Sequence, residues 1–328
     1  MADKSLAGYA KRFASLRRDP SRVRWTERTR NGAPHKPLLL LSVLDLFEQG
    51  RMRSDMVGLT TDLGELFDRY WTRIMPPDKY GNLALPFFHL SGDGFWHLRP
   101  RSGKEDFLAA SGQIRSLSRL RDTIIGAHLD HELYALLQVQ GHRAVLRAVL
   151  IEAYFAPEVG LALTEQGAIN NEAFRYSELL LRRDHEQVAE ALAKQEAYRP
   201  AARDQGFRRA VVTAYDYRCA LCGIRIVTFD RHTAVDASHI KPWSLSRDDR
   251  PANGMALCKL CHWSFDEGLL GVSRHYTVMF SDQLFAHDNL PGHLTSLKGR
   301  TIVGPAERMH WPDPDSLRWH RKEVFRAL

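Results

Sequence analysis

The chain has 328 residues, of which 44% are hydrophobic and 26% are charged, and its formal net charge is +7. This composition excludes a disordered or fibrous protein, and the lack of any run of about 18 apolar residues excludes a transmembrane helix. The length predicts two domains with connecting elements. The first residues lack the apolar core of a signal peptide, so we expect a cytoplasmic protein with no membrane partner.

Helices are predicted in several parts of the N-terminal half. Apolar spacings of three and four indicate helices over residues 1–18 and 59–74. Pro37 suits the first turn of a helix whose core is Leu38–Phe47, and Gly50 is expected to end that helix.

The first of these helices lies in a strongly basic segment. Residues 1–36 contain ten lysines and arginines but three acidic residues, an excess as large as that of the whole chain. Such a positive field favours a polyanion, and counterion release would provide affinity for DNA that is independent of base sequence. An ordinary solvated helical face is the alternative interpretation of the same charge run.

The next elements are predicted strands and helices. Leu83–Leu90 and Phe95–Leu98 are interpreted as two strands joined by a Ser-Gly-Asp-Gly hairpin turn. Helical stretches follow over 114–124, 129–138 and 141–155, and residues 161–200 are polar and partly helical. We therefore expect an N-terminal domain over 1–158 and a helical connector over 159–203.

The C-terminal domain is predicted over 204–328. Its expected elements are a helix over 206–216, a strand over Val235–Ile240 that Pro242 ends, a helix that begins near Lys259, short strands over 269–272 and 276–280, and a loop-rich tail. The fold class is α+β in both domains.

All four cysteines of the chain lie in this domain, in two CxxC pairs: Cys219 with Cys222, and Cys258 with Cys261. Four thiolates are what tetrahedral Zn²⁺ requires, and no cysteine is left over. Paired CxxC thiols in a protein that is not secreted indicate metal ligands more readily than disulfides. We therefore predict a structural zinc ion, closed by four thiolates.

A His, Asn, His set accompanies the cysteines: His239, Asn253 and His262. Hydrolysis of a phosphodiester needs a base to activate water and a cation to neutralise the phosphate. We assign His239 as the base, because imidazole titrates near working pH, and His262 as ligand of a catalytic Mg²⁺ or Mn²⁺ ion. Asn253 is expected to fasten the intervening loop and to orient His239. Asp236, the nearest carboxylate, either completes the cation site or holds the His239 ring.

This tract resembles the HNH domain of McrA-like modification-dependent restriction endonucleases. The resemblance extends over about 80 residues and implies a C-terminal ββα-metal domain. It also implies that His239, Asn253 and His262 are the three residues of the HNH motif. Ser238 occupies the position at which many HNH proteins carry a second metal ligand, so Asp236 is a tentative substitute.

The N-terminal half is similar to the DNA sulfur-binding domain of phosphorothioate-dependent members of this group. The similar segments are Gly32–Leu41, Leu85–Leu90 and Asp93–Leu98. The resemblance implies an apolar pocket that receives the sulfur of a phosphorothioate linkage. By this interpretation the pocket residues are Pro86, Phe87 and His89, with His35 and Lys36 at a helix start where an anion is also attracted.

The sequence therefore predicts a phosphorothioate-dependent HNH endonuclease that acts on double-stranded DNA, and a homodimer if both strands are cut by paired active sites. Three alternatives stay open. One is the same nuclease reading a methylated or hydroxymethylated base in a pocket of stacking aromatic residues. Another is an HNH nuclease with ordinary sequence specificity or none. The third is a non-catalytic DNA-binding protein with a zinc module.

Overall fold

The computed structural model describes residues 3–182, 198–228, 232–286 and 288–327. These residues form two compact units, and the chain passes from the first to the second between Asn171 and Glu172. The predicted connector over 159–203 includes this division, and its residues 183–197 lie outside the described ranges. Among the described helices, none is long and apolar enough to cross a bilayer.

The first unit combines helices with a small sheet. Its helices are α1 (Leu6–Ala14), α2 (His35–Glu48), α3 (Thr61–Ile74), α4 (Ala84–His89), α5 (Glu105–Ala110), α6 (Leu117–Thr123), α7 (His131–Leu137), α8 (Gln140–Tyr154) and the first part of α9 (Pro157–Leu180). Its strands are β1 (Met56–Gly58), β2 (Trp96–Pro100) and β3 (Ile124–Leu129). Helix α2 is buried from Lys36 to Phe47, which explains its largely apolar sequence. The helices predicted over Leu38–Phe47 and 59–74 are thus confirmed.

The sheet of the first unit is antiparallel with β3 in the middle, in the order β1-β3-β2. Strand β3 was not predicted, because it occupies the short gap between the helices expected over 114–124 and 129–138. Gly126 allows the close approach of β1, since a Cβ there would lie 2.5 Å from the carbonyl oxygen of Val57. A glycine inside a strand often marks such a contact between backbones.

The strand predicted over Leu83–Leu90 is wrong, because this segment forms helix α4 and a following 3₁₀ turn, Leu90–Asp93. Ala84, Phe87 and Leu90, spaced by three residues, are fully buried, as one face of a helix requires. The run is short and almost entirely apolar, so its sequence contains no period that separates helix from strand. The hairpin partner, in contrast, is a strand, as expected.

The second unit contains the predicted elements in the expected order, together with elements that were not predicted. They are α10 (Pro200–Ala214), β4 (Val235–His239), α11 (Trp243–Ser246), β5 (Gly254–Cys258), α12 (Lys259–Asp266), β6 (Leu270–Val272), β7 (Val278–Phe280) and α13 (Pro314–Glu323). Strands β4 and β5 pair antiparallel and lead directly into α12, so the unit contains a ββα arrangement. Helix α13, capped by the Asp313 side chain, adds order to a tail that was predicted to be loop-rich.

Candidate functional site

The four cysteines meet at one point of the second unit. Cys219 and Cys222 follow α10, Cys258 ends β5, and Cys261 lies in the first turn of α12. Their sulfur atoms all lie within 4.8 Å of one another, and the thiols are free rather than paired in disulfides. This donor set matches a structural Zn²⁺ site with no position open for substrate.

The close approach of the four thiols shifts the pKa of Cys258. Side-chain hydrogen bonds from Cys219, Cys222 and Cys261 hold the pKa of Cys258 far below its usual range. A thiolate is the form that binds a metal ion. The cluster is also tied to the hairpin, because the backbone N–H of Ala220 donates to the carbonyl of Ala256 in β5 at 2.7 Å.

The hairpin positions His239 at the end of β4, opposite Gly254 at the start of β5. The imidazole ring stacks on Phe207 of α10, with 3.7 Å between ring centroids and 7° between planes. Its Nε2 lies 2.8 Å from Oδ1 of Asp249, and the side chain retains 24% exposure. Phe207 and Asp249 were not predicted. No sequence pattern separates Asp249 from the adjacent Asp248, and Phe207 precedes the tract, so no local pattern indicates it.

Asn253 is fully buried in the short turn that precedes β5. Its side-chain amide accepts a hydrogen bond from the Lys241 N–H at 3.0 Å. It donates to the carbonyls of Lys241 and Asp248, both at 2.9 Å. These bonds tie the loop between β4 and β5 to the base of the hairpin. The contact that orients the His239 ring comes from Asp249 instead.

His262 lies on α12, one residue after Cys261. Its Nε2 is 3.3 Å from the Asp266 carboxylate, one helical turn further along. Burial raises the pKa of Asp266, while the nearby His262 and a hydrogen bond from Ser238 act in the opposite direction. Since Ser238 precedes His239, this carboxylate connects the two histidine-bearing elements.

Asp236 has a different partner. Its carboxylate accepts a hydrogen bond from Nε of Arg208 at 2.7 Å and is 58% exposed. Asp236 and His239 are three residues apart on one strand, so their side chains leave on opposite faces of the hairpin. Its tentative assignment to the catalytic cation stays a prediction, and Asp266 is the carboxylate that lies beside His262.

The first unit contains a cavity of about 1330 Å³. His35, Lys36, Pro86 and His89 line it, so the structure brings together four of the five residues predicted for the sulfur pocket. The fifth, Phe87, is fully buried and packs its ring edge-on against Trp96. Because α4 is a helix and not a strand, the lining comes from its other face, which adds Leu85 and Phe88.

The electrostatics of the cavity are mixed. Lys36 forms an ion pair with Asp93 at 2.5 Å, so the charge of this lysine is compensated. Burial lowers the pKa of His35 to about 4, although Asp19 acts against it, so the ring is neutral near pH 7. Burial and the neighbouring Lys36 also lower the pKa of His89.

Positive charge reaches the cavity from other side chains, although Arg24 pairs with Asp19 at 2.9 Å. The basic residues of its lining, besides Lys36, are Arg17, Arg18, Arg24 and Arg115. Three of these arginines belong to the basic segment over residues 1–36. That segment therefore faces the cavity in part, which favours contact with an anion over a purely solvated role.

Comparison with known protein families finds one match in each half of the chain. Residues 14–168 match the family described as ScoMcrA-like, DNA sulfur-binding domain. Residues 219–273 match the family described as HNH endonuclease, HNH_2. The chain combines a DNA sulfur-binding domain with an HNH endonuclease domain. The sulfur-binding match contains every residue predicted for the pocket, and the HNH match contains the four cysteines and the three residues of the motif.

Among solved structures, a protein described as modification dependent TagI restriction endonuclease is similar at 24% identity, with a TM-score of 0.27. The similarity covers 36% of this chain and 37% of that chain. Overlap of this quality carries no structural inference. No curated protein matches the chain.

Proposed function

We propose that the protein is a modification-dependent restriction endonuclease that binds phosphorothioated double-stranded DNA and hydrolyses phosphodiester bonds nearby. The observation that carries this proposal is the presence, in one chain, of a DNA sulfur-binding domain over 14–168 and an HNH endonuclease domain over 219–273. The first would select the DNA and the second would cut it.

The cavity chemistry supports selection of sulfur. Sulfur in place of a non-bridging oxygen is larger, more polarisable and less hydrated. The desolvation free energy for contact with an apolar wall is therefore smaller for sulfur than for oxygen. Leu85, Pro86 and Phe88 provide such a wall. The neutral His35 ring and the compensated Lys36 keep it weakly charged. The arginines of the lining would hold the flanking phosphates.

The hairpin and α12 would provide the hydrolytic chemistry. His239 is the proposed base, partly exposed at the end of β4. His262 would hold the catalytic cation, Mg²⁺ or Mn²⁺, with Asp266 beside it. When bound, that cation would stabilise negative charge on the phosphate and on the leaving oxygen. Zinc on the four cysteines would fix the position of α12 relative to β5.

Binding measurements test the recognition step. Three duplexes of one sequence (phosphorothioate, cytosine-methylated and unmodified) are titrated with the protein at a single salt concentration. We expect tightest binding to the phosphorothioate duplex. Pro86→Ala, which removes ring carbons from the cavity wall, is expected to lower the preference for sulfur about tenfold, in line with roughly 1–2 kcal/mol for lost apolar contact. Pro77→Ala, on an exposed turn, serves as the matched control.

Other outcomes would identify the alternatives. Preference for the methylated duplex would indicate base reading, for which the cavity offers Trp25 and the exposed Tyr80 as stacking surfaces. Equal binding to all three duplexes would indicate a nuclease without modification dependence. If the protein bound DNA but cleaved none of the three duplexes with any cation or at any protein concentration, it would be a non-catalytic DNA-binding protein.

Two further features belong to this proposal. We propose a cytoplasmic location, because thiols that bind zinc persist in a reducing compartment. Cutting of both strands requires two active sites or two successive nicks, and we propose a homodimer on DNA. Sedimentation with and without the phosphorothioate duplex tests that assembly.

A further inference from the structure

Asp249 is a carboxylate with almost no contact with solvent. It lies in the loop between β4 and β5 and is 1% exposed. A carboxylate is costly to bury unless donors compensate it. Its Oδ1 faces Nε2 of His239 at 2.8 Å, and its Oδ2 accepts a hydrogen bond from the Tyr176 hydroxyl at 3.0 Å. Nε of Arg203 lies 3.4 Å from the same Oδ2, as an ion pair.

These partners come from separate parts of the second unit. Tyr176 lies on α9 and Arg203 on α10, and the Arg203 guanidinium also stacks on Trp243 at 3.5 Å. The two groups support one oxygen of the carboxylate and leave the other for the histidine. Asp249 is therefore held by two helices, α9 and α10, in an orientation that serves His239.

We propose that Asp249 is a positioning residue that fixes the tautomer of His239; this inference rests on the proposed nuclease function. An ionised carboxylate only accepts hydrogen bonds, so Nε2 of His239 must carry the ring proton. Nδ1 then keeps its lone pair, and it has no hydrogen bond to any residue in the described ranges. The stack on Phe207 fixes the plane of the ring. His239 is thus prepared to accept a proton at Nδ1.

The reaction follows from that arrangement. A water molecule transfers a proton to Nδ1, and the oxygen lone pair released in this way forms the new bond to phosphorus. The phosphorus–oxygen bond to the leaving group breaks, and the leaving oxygen departs with the electron pair. The imidazolium that results is stabilised by Asp249, which stays ionised, in the manner of the Asp of a Ser-His-Asp triad.

Neighbouring acids do not provide the same contact. Asp248 pairs with Arg250 at 2.7 Å, Asp236 with Arg208, and Asp266 lies beside His262. Asp248 and Asp249 are adjacent in sequence, so an Asp→Asn substitution at either position removes the same charge from the same loop. The contact with His239 distinguishes the two.

The test uses Asp249→Asn in the full chain, with Asp248→Asn as the matched control. Arg203 favours an oxygen on its side of residue 249, so the asparagine would present its NH₂ to Nε2 and shift the proton of His239 to Nδ1. We expect kcat for phosphorothioate DNA to fall on the order of 10³-fold, with DNA binding retained, as for tautomer errors in catalytic triads. Asp248→Asn is expected to stay within about threefold, and Tyr176→Phe to lie between the two, as for one lost hydrogen bond.

The imidazole nitrogen shifts of ¹⁵N-histidine-labelled protein at pH 8 provide a second readout. The proposal requires the Nε2–H tautomer at His239 in the wild type and the Nδ1–H tautomer in Asp249→Asn. An Nδ1–H tautomer in the wild type would overturn it even if the variant failed to fold. So would an Asp249→Asn enzyme with near wild-type kcat. A wild type that never cleaves DNA would refute the nuclease, while the tautomer measurement would still report on Asp249.

Discussion

The Asn253 side chain and the Lys241 backbone bond to each other in both directions: the amide oxygen accepts from the Lys241 N–H at 3.0 Å and the amide nitrogen donates to the Lys241 carbonyl at 2.9 Å. Only an amide side chain supplies both a donor and an acceptor in this geometry. The pair closes the loop between β4 and β5, directly after His239.

Asn253→Asp is therefore expected to inactivate the nuclease and to destabilise the second unit. The change is nearly isosteric, but it points a carboxylate at the carbonyls of Lys241 and Asp248. Each buried group left unsatisfied costs about 1–3 kcal/mol. Urea unfolding and a cleavage assay check both effects. Asn289→Asp, at an exposed position, is the control, and equal behaviour of the two variants would contradict the role given to Asn253.

Gly254 allows the contact between α10 and the hairpin. A Cβ at this position would lie 2.6 Å from Cγ2 of Val211 and 2.9 Å from the Phe207 ring. Gly254→Ala is expected to displace Phe207 from His239, to lower stability by about 1–3 kcal/mol and to reduce kcat at least tenfold. In Gly141→Ala nothing would contact the added carbon, so that variant should keep wild-type activity. A crystal structure of Gly254→Ala with the ring stack intact would contradict this explanation.

The fold of the second unit should depend on zinc bound to the four cysteines. We expect one zinc per chain by elemental analysis, and loss of that zinc in Cys258→Ala. Structural zinc contributes roughly 10 kcal/mol or more to small zinc domains, so a chelator should unfold this unit and lower the melting temperature. Addition of zinc after the chelator should restore the fold of the unit and the melting temperature. Full stability and activity in metal-free protein would show that the cluster has another purpose.

His320 should make the second unit sensitive to acid. Its ring stacks on Phe265, and burial lowers its pKa from 6.5 to about 4. As the pH falls, the unfolded chain binds the proton before the folded chain does, so the stabilisation is complete above about pH 6.5 and is lost toward pH 4. The expected loss is about 3 kcal/mol. Urea unfolding between these pH values measures it, and the loss should shrink in His320→Gln but not in His293→Gln, at an exposed position.

Sequence reasoning was most successful where ligands are close together along the chain. The CxxC pairs predict their own cluster, because residues three apart at a turn or helix start can bind one ion. The strand predicted over Val235–Ile240 is confirmed over Val235–His239, and the structure adds its partner strand, which ends in Cys258. The order of the His, Asn, His set carried the nuclease assignment.

The same reasoning failed where tertiary packing determines which side chains are in contact. Phe207 lies 32 positions before His239 in the sequence, and nothing local indicates that their rings stack. The strand predicted around Pro86 is a helix, and this helix directs Phe87, a pocket residue by the family resemblance, into the core. Asp249 was passed over in favour of Asp236, since nearness in sequence was the only guide to which carboxylate approaches His239.

Cleavage in a single mixture tests the central claim most directly. Two differently labelled duplexes of one sequence, one with phosphorothioate linkages and one without, are incubated together with the protein and Mg²⁺ or Mn²⁺. We expect rapid cutting of the phosphorothioate duplex, little cutting of its partner, and loss of cleavage but not of binding in His239→Ala. Equal cutting of both duplexes, or full activity in His239→Ala, would contradict the account.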